Sequence, residues 1–422
     1  MKVLLVTERY WPEVGAAPSR LANMAVGLKR EGCDVDVLTS LPNYPKGRIF
    51  NGYRCKLFCK EQHEGITLFR YWIFATVSRS PLARIINMFS LAFTIWFFAF
   101  RIRRIRSYDT VIIQTPTLVV AASAMLLFKF IFKRSCVLNV SDIWPLTAVD
   151  LGAVKAGSIS YRFLYSLERF LYRHADGVLG QSEEILNHVA QEKMAMQGLW
   201  RSSEQRDTDQ VLHSKLWTKD ASLFLYRNIQ TSLSQQQGIK RHKPLKLVFS
   251  GMLGVAQDVA GIVRNVPFRE LGVELHILGG GKQFDEINDY CTTHPDCGVF
   301  LHGFVPKEQM AEKLEGMDAG IVPLSTRIRG AFPSKVYDIL PHGLPILYCG
   351  GGEAAEFINR NKVGLSCPPG DYDALVENIK ILRDMSDQDF SAMSNQCIQL
   401  VNTDLNFDRQ IKECREFLKI EN

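Results

Sequence analysis

The chain has 422 residues, of which 46% are hydrophobic and 22% charged. That length predicts two to three domains, and that usage excludes a disordered or fibrous polypeptide. The net charge of +6 is mild, and the ten cysteines are scattered instead of clustered as a disulfide framework, so a reduced, cytoplasmic protein is expected.

The opening MKVLLVT reads as a strand running into a charged loop, not as a signal peptide. Lys2–Val6 is the first predicted strand, Glu8–Pro18 a loop, Ser19–Arg30 a helix with Ser19 as N-cap and Gly32 as stop, and Asp34–Thr39 the next strand. In the loop, Gly15 and Ala16 let backbone approach an anionic group at a helix start; a tight strand-to-helix turn explains them equally well.

From Gly65 to Ser141 stand ten basic residues and one acid, Asp109. Within that stretch Ile85–Phe100 is an apolar run of 16 residues followed by RIRRIR, and a second run, Thr117–Phe132, ends in Lys133-Arg134. As a helix the first run reaches about 24 Å, short of the roughly 30 Å hydrocarbon core. An interfacial helix is the reading preferred, with a buried core helix or a true span as alternatives. Ile85, Trp96, Phe97, Arg101, Arg103, Arg104 and Arg106 are its candidate membrane residues. A nucleic-acid surface is not expected, because these cations flank apolar blocks and do not alternate with exposed aromatics.

Further strands are predicted at Thr110–Gln114, Cys136–Val140 and Gly177–Gly180, and residues 192–222 are polar and irregular. Pro244 opens a second series: Leu245–Ser250, Glu274–Leu278, Val299–Leu301, Gly320–Pro323 and Pro345–Tyr348. Alternating strands and helices make the class α/β with parallel sheets. A boundary near 235–243 separates domain 1–240 from domain 241–404, with a last helix of about 405–422 that can pack back on the first.

Open parallel sheets bind ligands at the carboxyl ends of their strands. No G-x-G-x-x-G follows any strand, and Leu278-Gly279-Gly280-Gly281-Lys282 fails as a phosphate loop because Gln283 follows the lysine. Its glycines still permit close approach by a ligand. The segment Arg327–Glu356 is richer. Ser334 and Lys335 open a predicted helix, Asp338 follows, and Gly350-Gly351-Gly352-Glu353 forms a second backbone-rich loop. A lysine for phosphate and a carboxylate for ribose hydroxyls suit a nucleotide, although each residue alone fits a capped, solvated helix start. Neither Cys55-x3-Cys59 nor the histidines show metal-ligand spacing, so no metal site is expected.

In motif order the chain resembles the family 4 retaining glycosyltransferases of GT-B fold, in particular bacterial O-antigen and capsular polysaccharide enzymes. YWPEVGAAPSRLANMAVGLKREGCDVDVLTSLPNYPKG is similar to the acceptor-side loop, helix and strand, and VSDIWP to a D-x-W-P segment. LHGFVPKEQMAEKL resembles the nucleobase loop and helix, and GAFPSKVYDILPHGLPILYCGGGEAAEFI, followed by VGLSCPPGD, the donor signature. The resemblance implies two Rossmann-like domains facing each other across a cleft. It implies a retaining, hexosyltransferase-class activity from a nucleoside diphosphate sugar, a UDP-sugar by expectation, to a polyprenyl-diphosphate-linked saccharide. No further cofactor is implied, and the setting is the inner face of the plasma membrane. Asp338 falls on the second carboxylate of the Glu-x7-Glu motif. Donor candidates are Lys335, Asp338, Ser334, Gly303, Val305, Gly351, Gly352, Glu353, Glu356 and Arg329. Acceptor candidates are Gly15, Ala16 and Arg20, and Asp142 is the catalytic candidate, with a helix cap as its alternative.

The chain departs from the family where Gly330 replaces the first Glu, and where Met252 and Gln257 stand in place of a usual Arg and Lys. The second departure shifts phosphate neutralisation onto Lys335, with Arg327 or Arg329 beside it. Two other readings stay open: a nucleotide-sugar epimerase of the same fold, and an inactive membrane-associated partner subunit.

Overall fold

The computed structural model describes residues 1–78, 80–101, 107–198, 216–229 and 241–419. The chain divides into two units, Met1–Asn228 with Phe407–Asn422, and Ile229–Asn406.

The first unit is built on eight strands: β1 Lys2–Val6, β2 Asp34–Ser40, β3 Phe58–His63, β4 Ile66–Tyr71, β5 Thr110–Gln114, β6 Ser135–Val140, β7 Gly177–Gly180 and β8 Leu223–Leu225. Their order is β3-β4-β2-β1-β5-β6-β7-β8. All pairs are parallel except β3 with β4. The central strands are near-continuous apolar runs because helices cover both faces of a parallel sheet. β3 and β4 were not anticipated. Their signal is the Glu64-Gly65 turn, with φ of 50° and 71°, the pair of positive values that a tight hairpin needs. Lys29 caps this turn by donating to both carbonyls, at 3.3 and 2.6 Å.

Helix α1 is Ala16–Arg30, α2 Pro81–Thr94, α3 Trp96–Arg101 and α4 Leu118–Met125, the last continuing as a π-helix over Leu126–Ile131. α5 is Leu146–Asp150, α6 Ile159–His174 and α7 Glu183–Met196. α1 begins three residues earlier than predicted, with Gly15 at its N-cap, so Ser19 is not the cap. α2 packs on α4 and α4 on α6. Buried Phe98 joins this layer to the sheet, edge-on to Phe69 at 5.4 Å and to Phe128 at 6.0 Å. The terminal helix Phe407–Phe417 lies on α1, where a Cβ at Gly27 would stand 2.7 Å from Ile411. Gln410 holds the backbone of Arg227, accepting from its N–H at 2.8 Å and donating to its carbonyl at 2.9 Å.

The second unit has six parallel strands: β9 Leu245–Ser250, β10 Val273–Leu278, β11 Val299–Gly303, β12 Ala319–Pro323, β13 Ile346–Cys349 and β14 Gly364–Cys367. They run in the order β11-β10-β9-β12-β13-β14. β14, GLSC, is too short and mixed to have been predicted. Buried Asp318 fixes the start of the sheet, accepting from the backbone N–H of His242 at 3.0 Å and of Lys246 at 2.7 Å. Helices here are α8 Val259–Asn265, α9 Phe284–Thr293, α10 Lys307–Glu315, α11 Lys335–Ile339, α12 Glu353–Arg360, α13 Tyr372–Asp384 and α14 Asp387–Asn402.

Candidate functional site

In the second unit the strand order reverses at β9, with β10 on one side and β12 on the other. A ligand crevice is expected at their carboxyl ends. The loops after β9 and β10 are zipped together, Gly251 N–H to Leu278 O and Leu253 N–H to Gly280 O, both at 2.9 Å. A Cβ on Gly279 would lie 1.8 Å from the Gly251 carbonyl, and one on Gly281 2.6 Å from that of Leu253. These two glycines therefore serve backbone-to-backbone packing; only Gly280 faces open space.

Lys335, the first residue of α11, reaches across to β9. Its ammonium lies 5.5 Å over the Phe249 ring, and a Cβ on Gly251 would meet its Nζ at 2.8 Å. Gly251 has φ of +129°, so glycine is required there twice over, by backbone and by space. Among the described residues Lys335 makes no hydrogen bond or ion pair. Burial holds its pKa below the usual lysine range, and Asp338 one turn on partly offsets this. A half-buried ammonium facing a ring is under-compensated without an anion to pair with. The lysine thus stands at the end of β9, next to the absent Arg and Lys of the family pattern.

Arg327 lies along Gly351, whose Cβ would be 3.5 Å from its Cδ. Gly350 packs on the Tyr348 ring, and the Tyr348 hydroxyl donates to the Gly351 carbonyl at 3.3 Å. Gly352 caps α12 with φ of 78°; Glu353 is buried and Glu356 exposed in the first turn, where acids already complement the helix start. Gly303, with φ of 70° and open space around it, ends β11, and half-buried Val305 follows. Ser334 and Arg329 lie in the loop between β12 and α11.

In the first unit, buried Arg20 on α1 donates to Ser141 Oγ at 2.5 Å, immediately after β6. Gln114 Nε2 donates to the same hydroxyl and receives Asn139 Nδ2 on its own Oε1 at 2.8 Å. Burial pulls the Arg20 pKa down to about 10 against the attraction of Asp142. Burial raises the Asp142 pKa, and Arg20 opposes it. Asp142 is not a helix cap: α5 starts only at Leu146, with Pro145 in the cap position. Gly15 and Ala16 open the helix that carries Arg20, so the acceptor-side candidates and Asp142 gather at one end of this sheet.

Glu13 was missed. Its carboxylate accepts the N–H groups of Asn43 and Tyr44, both at 2.8 Å, and of Tyr10 at 3.2 Å, tying the loop after β1 to the loop after β2. A lone acid in YWPEVGAAPSR was its only signal. Burial raises its pKa against these hydrogen bonds.

Of the membrane candidates, Ile85 is 51% exposed and Phe97 48%. Trp96 does not join them: it is partly buried and donates through Nε1 to Ser123 Oγ at 2.8 Å, within the helix layer. Arg103, Arg104 and Arg106 lie outside the described residues, and Arg101 ends α3. Leu82, Ile85, Ile86, Phe89, Phe93 and Phe97 are exposed at helical spacing. Among the described residues no helix is long and apolar enough to cross a membrane, and no group of His, Cys, Asp or Glu could hold a metal ion.

Two parallel-sheet units of this kind are the GT-B architecture, and the chain belongs to the GT-B glycosyltransferases. The family model for the glycosyl transferase 4-like domain matches residues 15–196, and that for the glycosyl transferases group 1 matches residues 245–384. The chain is 26% identical over 300 residues to the Probable glycosyltransferase WbjE of Pseudomonas aeruginosa, covering 69% of each protein. Similar folds are the sucrose-phosphate synthase of Thermosynechococcus elongatus (TM-score 0.67, 13% identity, 98% of this chain and 97% of that one) and Anabaena HepE with UDP and glucose (TM-score 0.62, 14% identity, 100% of both chains).

Proposed function

We propose that the protein moves a hexose from a nucleoside diphosphate sugar, of the UDP class, to a lipid-linked saccharide in cell-surface polysaccharide synthesis, O-antigen or capsule, with retention of configuration. The observation that carries the donor half is the ammonium of Lys335 against Gly251 at the end of β9, with no anion in contact among the described residues. As the bond from the anomeric carbon to the diphosphate breaks, positive charge grows on carbon and negative charge on the leaving group. A cation already half-buried and fixed there needs little reorganisation, which is how such stabilisation lowers a barrier. Arg327, beside Gly351, would add a second cation, and Asp338 would accept ribose hydroxyls.

On the acceptor side, Asp142 would orient the attacking hydroxyl, held in place through Arg20. The acceptor reading is supported by the apolar face of α2, which suits a protein working at the cytoplasmic surface of the inner membrane on a polyprenyl-diphosphate-linked substrate. An epimerase acting on a free nucleotide sugar has no use for such a face. The deciding experiment incubates purified protein with a panel of nucleotide sugars, with and without membrane-extracted acceptor, and follows nucleoside diphosphate release. No release from any donor would sink the proposal.

A further inference from the structure

At the carboxyl ends of β2 and β4 the first unit holds a cavity of about 390 Å³ that no step above uses. Leu41, Ile49, Leu57 and Trp72 give it apolar walls, and Arg48, Arg54 and Lys56, all three exposed to solvent, also line it. The size falls within the roughly 300–1,000 Å³ of small-ligand sites. The loop that forms it, residues 43–57, carries Lys46, Arg48, Arg54 and Lys56 and no acid. Among the described residues none of these three cations is hydrogen-bonded or ion-paired. The nearby carboxylate of Glu61 is engaged by Arg70 at 2.5 Å and by the Tyr53 hydroxyl at 2.9 Å, so it does not neutralise them.

The cavity also adjoins the apolar helix. Trp72 lines it and accepts the Thr94 hydroxyl of α2 on its carbonyl at 2.9 Å. Gly47 packs so closely on Val77, in the segment leading to α2, that a Cβ there would sit 2.4 Å from Val77 Cγ1. Apolar walls reject a free sugar phosphate or inorganic anion, which would lose water for no gain. Three cations without an anionic partner among the described residues, Lys56 resting 5.7 Å over the Tyr53 ring, are wasted on an uncharged lipid. The two together select one chemistry.

We propose that this cavity binds a phosphate or diphosphate ester that carries a hydrocarbon chain, the chain on Leu41, Ile49, Leu57 and Trp72 and the anion between Arg48, Arg54 and Lys56. Two sources share that chemistry: the carrier of a lipid-linked acceptor, which rests on the function proposed above, and an anionic phospholipid, which does not.

The test titrates the full-length protein, its donor site saturated with UDP, by calorimetry with farnesyl diphosphate, farnesol, inorganic diphosphate and dihexanoyl phosphatidylglycerol, each below its micellar range. Farnesyl diphosphate should bind at least about tenfold more tightly than farnesol or inorganic diphosphate. The exposed triple variant Arg48→Gln/Arg54→Gln/Lys56→Gln should weaken it by at least about tenfold, since charge-assisted contacts are lost. Leu57→Asp, a change at a 75% exposed position, should also weaken it. Tighter binding of the phosphatidylglycerol would support the cavity and assign it to bilayer lipid; tighter binding of the prenyl diphosphate would assign it to the acceptor carrier. Inorganic diphosphate binding as well as the prenyl ester, or prenyl binding indifferent to both variants, would overturn the assignment. Nucleotide-sugar turnover is followed separately, so its failure would count against the transferase and leave the cavity to the binding data.

Discussion

The ammonium of Lys335 fills the space that a side chain on Gly251 would need at the end of β9, 2.8 Å from where its Cβ would stand, although 84 residues separate the two in the chain. A glycine is needed so that the lysine can arrive. Lys335→Ala should therefore weaken UDP binding about tenfold to a hundredfold, the loss of one charge-assisted contact, and uridine binding much less. Gly251→Ala should do the same by displacing the ammonium and straining a positive φ. Calorimetric titration with UDP and uridine decides; equal UDP affinity in both variants removes Lys335 from the site.

Lys335 is also a cost to the ligand-free fold. Lys335→Met keeps the stem on Phe249 and removes the half-buried charge, so it should raise urea-unfolding stability by roughly 0.5–2 kcal/mol while UDP binding weakens as in Lys335→Ala. A variant that is less stable than the parent would mean that the ammonium is well solvated or paired.

Binding of inorganic diphosphate should depend on pH through the same group. Burial lowers the Lys335 pKa and Asp338 raises it. Relative to Lys335→Met, which carries the ligand's own ionisation, the lysine's contribution to affinity should be full below that pKa and fall as pH rises through it, at lower pH than for an ordinary lysine. Asp338→Asn removes that raising influence, so the fall should move to still lower pH. Inorganic diphosphate has no ribose, and this isolates the electrostatic role. With uridine, loss of affinity in Asp338→Ala reads the ribose contact instead.

Arg20→Met should leave half-buried Asp142 without its nearby compensating charge and Ser141 Oγ without one of its donors, and cost about 1–3 kcal/mol. The Asp142 carboxyl pKa, already raised, would rise further. A folded pKa above the unfolded one means that stability falls as pH increases between the two, so the deficit should shrink in acid. The pair Arg20→Met/Asp142→Asn should recover much of the loss. Urea denaturation of the three variants between pH 4 and 8 is the measurement, and a double variant no better than Arg20→Met would separate the two residues.

The face of α2 should hold the protein on anionic vesicles, more weakly as salt rises. Phe89→Glu with Phe93→Glu, both at exposed positions, should release it with little effect on folding. Arg101, Arg103, Arg104 and Arg106 changed together to glutamine should weaken it as well, at roughly 1 kcal/mol per charge near the surface. Sedimentation with vesicles of defined composition reads both. Protein that stays in the supernatant at low salt would refute the membrane reading.

Strands such as LKLVFS and TVIIQ, and the restart of the α/β pattern at Pro244, were legible in the sequence because hydrophobic period and chain punctuation are local properties. The same holds for the donor segment, whose lysine, carboxylate and glycines are neighbours along the chain. The edge strands β3, β8 and β14 were not legible, since they carry mixed side chains and take their pairing from the sheet beside them; β4 lies inside the sheet, but its mixed run ITLFRY becomes a strand only through that pairing. The burial of Arg20 against Ser141, the three N–H groups gathered by Glu13 and the approach of Lys335 to Gly251 were decided by tertiary structure alone. Each depends on which strand ends the sheet order brings together, and distance in space after loop closure is not written in any one segment. The glycines after β10 show the reverse case: a local pattern that suggested ligand approach is used up by the packing of one backbone on another.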